Sequence, residues 1–228
     1  MNIHLRSSIT VICLLLLPVF GLSSCATDAK KAPADTPEKN LSLSAEEQDS
    51  RALVLFQKIF DLISESDRKT VLPKIEAMYG EIVNDYPKAA LGQESYSRLI
   101  YIYMNDYDPP AYDKAEELYQ RFLKKYPGSQ FTNDISDSIA QGYYRNGKWE
   151  QLQKFFTPAV KKYIETGKLE RPRELFLYAE AKLNLGDLAE AEKGYRIIIA
   201  EAPKTKEGSI SKQRLDVIQK KKSGKDKK

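Results

Sequence analysis

The stretch Leu175–Pro203, LFLYAEAKLNLGDLAEAEKGYRIIIAEAP, decides how this chain folds. Apolar residues recur at three- and four-residue intervals on both sides of Gly186-Asp187, so it reads as two helices joined by a tight turn. Ala179 and Ala191 are small where the two backbones would cross, which lets helix axes approach to about 8–10 Å. Tyr195 follows on the second helix, and Pro203 closes it. That ending recurs upstream. Tyr79 lies eight residues before Pro87 and Tyr119 eight before Pro127, as Tyr195 does before Pro203. Phe156 holds the equivalent place in a unit that lacks the proline, and the four aromatics are 40, 37 and 39 residues apart. A period of this length, with a helix pair in each unit, predicts an all-α protein: an α-solenoid of four stacked hairpins.

Working outward, Tyr112–Pro127 (YDKAEELYQRFLKKYP) puts Ala115, Tyr119, Phe122 and Pro127 in the same register. Trp149 to Ile164 is a weaker copy, in which Ala140, Gly147, Phe156 and Ala159 fit. There Leu152 replaces the small residue and Pro158 predicts a kink. At the front, Ser44-Ala45-Glu46-Glu47 has the form of a capping box. A helix over 45–64 should follow, with Leu53, Phe56, Ile59, Phe60 and Ile63 on one face. Pro73 reads as the first-turn proline of the next helix, whose stripe Ile75, Met78, Tyr79, Ile82, Val83 ends at Asp85-Tyr86-Pro87. Thr205 to Gln219 reads as a last helix that caps the stack. The repeat domain is thus expected over 45–219, with a basic disordered tail over 220–228.

Leu175–Pro203 resembles a tetratricopeptide repeat, which has small residues at the helix crossing, a later aromatic and a closing proline. The resemblance implies a concave groove, lined by the first helix of each pair, that holds a protein or peptide partner. Aligned on Gly147 and Gly186, the partner-binding candidates are Gln141, Tyr144 and Arg145 in the third unit. In the fourth they are Arg173, Phe176 and Glu180.

The first 24 residues read as a signal peptide. Arg6 precedes a twelve-residue apolar run, Ile9 to Phe20, too short for a transmembrane span, which needs about 20 residues. Leu22-Ser23-Ser24-Cys25 resembles the lipobox of bacterial lipoproteins. That resemblance implies cleavage before Cys25 and its acylation, by a diacylglyceryl group and a further acyl chain such as palmitate. Ala26 follows the cysteine, which in a Gram-negative bacterium implies sorting to the outer membrane, facing the periplasm. Residues 25–44, with Pro33, Pro37 and small or charged side chains, read as the lipidated cysteine and a flexible tether.

The rarest residues exclude most chemistry. His4 is the only histidine, and Cys13 and Cys25 are the only cysteines. A chain cut at Cys25 has no imidazole and no unmodified thiol. Cysteine nucleophiles, His/Cys metal sites and disulfides then go together, and no metal or cofactor is expected. Asn105–Pro110 (NDYDPP) carries two acids but lacks the spacing and glycine of a calcium loop, so it reads as a turn. The acids come with no glycine-rich loop or nucleophile elbow, which points away from an enzyme.

Charge separates along the chain. The formal balance is 36 basic against 32 acidic side chains. Without Arg6, the one ionic side chain in the leader, the excess is +3; the last nine residues, with six Lys and one Asp, contribute +5. The remainder is therefore −2, and no folded basic face for nucleic acid is expected.

Lipobox, tether and helical repeats ending in Tyr-Pro together resemble the tetratricopeptide lipoproteins of the outer-membrane β-barrel assembly machinery. That family typically has five repeats, whereas four and a terminal helix are read here. The resemblance implies a non-enzymatic, membrane-anchored scaffold for protein–protein interaction in envelope biogenesis. A pilus or secretion-system lipoprotein, and an envelope hydrolase or its activator, are the alternatives.

Overall fold

A computed structural model describes residues 42–223. The leader, Cys25, the tether up to residue 41 and tail residues 224–228 lie outside them. Nine helices and no strand occur among the described residues: α1 (Ala45–Glu65), α2 (Arg68–Asp85), α3 (Gly92–Asn105), α4 (Tyr112–Lys125), α5 (Phe131–Arg145), α6 (Trp149–Thr166), α7 (Pro172–Asn184), α8 (Leu188–Glu201) and α9 (Lys206–Lys222). They pack in sequence as the hairpins α1/α2, α3/α4, α5/α6 and α7/α8, with α9 against both α7 and α8. The described residues form the all-α solenoid that the period demands.

Helix ends follow local chemistry. Ser44 caps α1 reciprocally: Glu47 N–H donates to Ser44 Oγ at 3.2 Å and Ser44 N–H to Glu47 Oε2 at 2.8 Å. The second helix begins earlier than expected. Asp67 caps it by accepting from Thr70 N–H, so Pro73 lies inside α2 rather than in its first turn. α6 likewise continues through Pro158 to Thr166 and ends at Gly167, whose φ of 66° suits a residue without Cβ. Thr205 caps α9, which runs through Lys222. Lys220, Lys221 and Lys222 therefore belong to its last turn, not to a tail starting at 220; there they face the negative end of the helix dipole.

The core has one register. Ala52, Ile100, Ala140 and Ala179 are fully buried at the centre of the first helix of each pair. Gln48, Tyr96, Ser136 and Leu175, one turn earlier, are buried too. Where the fourth pair crosses, a Cβ on Gly194 would stand 2.9 Å from that of Ala179, which explains the small residues there. Two residues beyond each centre the helix meets the preceding repeat: a Cβ on Gly142 would strike the Met104 side chain of α3. Ile102, Gly142 and Ala181 at this position are buried, but Val54 of α1 is exposed. Glu47, Arg51 and Lys58 flank it on the same side, so the first helix presents a charged outer end.

α9 is a first helix without its partner. Its Ser211 and Ile218 are buried at the positions of Ser95 and Ile102 in α3. Lys212, Asp216 and Lys220 occupy the positions of Tyr96, Ile100 and Met104, which are buried in α3, and all three are exposed. α9 thus docks on the fourth repeat and shows charge outward.

Candidate partner-binding surface

The inner surface is built by α1, α3, α5 and α7, which are held in place by polar ties between successive repeats. Glu76 of α2 accepts from Tyr103 Oη at 2.9 Å, from Lys114 Nζ at 2.8 Å, and from Tyr107 Oη. Glu116 of α4 accepts from Tyr143 Oη. Both Glu–Tyr pairs are 27 residues apart, so they are one device used twice. Burial alone would raise the Glu76 carboxyl, but hydrogen bonds from Lys114, Tyr107 and Tyr103 outweigh it and leave the group below its ordinary value. Burial and the same carboxylate push the Tyr107 phenol up to about 12, and push Tyr103 higher still. These groups tie the second helix of one repeat to the first helix of the next.

Between the third and fourth repeats the device is absent. Gln153 and Lys182 stand where Glu and Tyr stood, and Lys182 instead donates to Asp187 at 3.1 Å. Asp137 of α5 accepts from Arg173 Nε at 3.1 Å and from Arg171 at 3.3 Å. Glu180, 1% exposed, accepts from Tyr195 Oη at 2.6 Å, from Tyr144 Oη at 2.9 Å, and from both arms of Arg214 on α9 at 2.6 and 3.0 Å. Burial and this carboxylate raise the Tyr195 phenol far above its ordinary value, and the hydrogen bonds to Glu180 raise the Arg214 guanidinium.

The six groove candidates therefore divide. Gln141 is exposed, and so is Arg145, which donates to Asn105 of α3. Tyr144 is half-buried between Glu180 and Trp149. Arg173 is half-buried on Asp137. Phe176 is 9% exposed and packs on the Tyr195 ring at 6.0 Å, so it is core rather than lining. Glu180 belongs to the interior because α9 lies over the position that would otherwise face a partner.

What the alignment missed lies at the other end. Leu53, Phe60 and Tyr101 are 63%, 59% and 48% exposed. The expected apolar face of α1 is rotated: Gln48, Ala52, Phe56 and Ile59 are buried, while Leu53 and Phe60 project outward. Leu53, Tyr101, Gln141 and Glu180 each follow the central buried residue of their helix by one, so they fall on the same inner face. Counting from Ala52, Ile100, Ala140 and Ala179, rather than from the turn glycines, was the signal that reaches them.

No helix among the described residues is long and apolar enough to cross a membrane. A family model of the tetratricopeptide repeat matches residues 111–129 and 175–205, well under half of the chain. At those residues the chain is similar to that repeat. Among curated proteins, none matches it.

Proposed function

We propose that this protein is a non-catalytic scaffold of the bacterial cell envelope. It is acylated at Cys25, held at the outer membrane facing the periplasm, and docks a protein partner on the inner surface of α1, α3 and α5. Tetratricopeptide folds serve protein–protein interaction, and the observation that carries the reading here is the exposed trio Leu53, Phe60 and Tyr101 on that surface. Large apolar side chains grouped in one patch mark interaction sites on soluble folds. The anchor rests on Leu22-Ser23-Ser24-Cys25 after a twelve-residue apolar run. The same combination of leader, tether and repeats supports a role in assembling outer-membrane proteins.

The test has two arms. Fatty-acid labelling should tag the chain and fail for Cys25→Ser, which should also leave the membrane fraction. A photo-crosslinker at Tyr101 should capture an envelope protein, whereas one at the outward Lys212 should not. A chain that starts at Met1, carries no lipid and remains in the cytosol would overturn the reading.

A further inference from the structure

The apolar trio sits in an acidic surround. On the inner face of α1, Glu46 and Asp49 precede Leu53; on α3, Glu94 precedes Tyr101. The cation nearest in register, Arg98, is committed to Glu94, its guanidinium at 3.0 Å from Oε1. Asp49 Oδ1 accepts from the Ala90 N–H at 2.6 Å. Counting Glu46, Asp49 and Glu94 against Arg98, this inner patch carries −2.

Leu53 and Phe60 are seven residues apart, two helical turns along one stripe, and Tyr101 holds the position of Leu53 on the first helix of the second repeat. At the third repeat the face changes to Gln141 and Arg145, and at the fourth α9 closes it over Glu180. The surface open to a ligand is therefore polarised: apolar and acidic over repeats one and two, polar and basic at repeat three.

We infer that the partner is an amphipathic helical segment whose apolar anchors fill the Leu53–Phe60–Tyr101 row and whose flanking side chains are Lys or Arg. Charge complementarity selects this occupant. An acidic segment would meet three carboxylates, and an anionic lipid surface would be repelled by the same patch. The chain's own tail has the charge, with six Lys in 220–228, but no apolar side chain to anchor it. This inference rests on the scaffold reading and adds the chemistry of what is bound.

The probes are two labelled sixteen-residue amphipathic peptides, each with Leu at positions three and ten, Phe at fourteen and an otherwise Ala-rich helix. One carries four Lys on the flanks and the other four Glu. Fluorescence anisotropy with the full chain in detergent should show the Lys peptide binding at least about tenfold tighter, with the gap closing as salt rises. Leu53→Ser/Phe60→Ser should weaken the Lys peptide about tenfold or more. Glu46→Gln/Glu94→Gln should shrink the Lys-over-Glu preference while sparing the contribution of the anchors. Unchanged thermal melts of both variants show that the fold is intact. Equal binding of the two peptides overturns the inference. So does a dimer that forms without peptide and is lost in Leu53→Ser/Phe60→Ser, because a second copy is then the occupant. Binding to phosphatidylglycerol vesicles through the same two residues overturns it as well. Capture of an envelope protein at Tyr101 alongside equal peptide binding would leave the scaffold reading standing and remove only the basic partner.

Discussion

The first two junctions of this solenoid and the third solve one problem by different chemistry. In the first two, a carboxylate on the second helix of one repeat takes the phenol of a tyrosine on the first helix of the next: Glu76 with Tyr103, Glu116 with Tyr143. In the third, that pair is replaced by Gln153 and Lys182, and the load moves inward to Asp137 with Arg173 and to Glu180 with Arg214. The difference teaches where the open surface can be. A Glu–Tyr tie sits between the layers and leaves the inner face uncovered. Glu180, on the inner face itself, is covered by Tyr144, by Tyr195 and by Arg214 of α9, and that cover removes the fourth repeat from any groove.

The strongest way to break this contrast is Arg214→Ala. It leaves the buried Glu180 carboxylate with two phenols and no cation, and should cost about 3 kcal/mol in urea unfolding. Arg214→Lys should recover part of that. A loss under about 1 kcal/mol would mean that the phenols alone carry Glu180.

Tyr143→Phe and Tyr103→Phe come next, at about 1.5–3 kcal/mol each for a lost bond to a charged acceptor. Tyr143 should lie at the upper end because its side chain is fully buried. Tyr103 should lie lower, since Glu76 keeps Lys114 and Tyr107.

pH sharpens the comparison further. Tyr103, Tyr107 and Tyr143 have folded values raised above the ordinary 10, through burial and their carboxylate partners. Their contribution is therefore complete below pH 10 and is lost as pH rises through the folded values, Tyr107 at about 12. Melting temperature should fall between pH 10 and 12, and fall less in the Tyr103→Phe/Tyr143→Phe double variant; an equal fall would place the titration elsewhere. On the acid side, the lowered Glu76 contributes above its ordinary 4.5, and the contribution fades as pH drops through the folded value.

The smallest effect is constructive. Gln153→Glu/Lys182→Tyr installs the missing tie at the third junction and gives up the Lys182–Asp187 pair. A net gain of at most about 1 kcal/mol is expected by calorimetry.

Much of the fold was legible in the sequence because the period and the closing Tyr-Pro are local. The capping box at Ser44, the turn at Gly186-Asp187 and the crossing alanines needed no tertiary knowledge. The rotation of α1 did not show, since Leu53, Phe56, Ile59 and Phe60 satisfy two stripes equally and only Gln48, bonded to Leu43 and Lys88, reveals which one is buried. Pro73 was misplaced because Asp67 offers an earlier cap. Phe176 and Glu180 were read as lining because nothing within the fourth repeat announces a helix lying over it.

The charged outer faces of α1 and α9 have a consequence for how such an array can change length. A duplicated unit joined to either extremity would press its apolar side onto Arg51 and Lys58, or onto Lys212 and Asp216, and neither union could be dry. New modules can enter only by insertion between existing ones, so the two terminal helices are fixed bookends and evolution or a designer must lengthen the row from its middle.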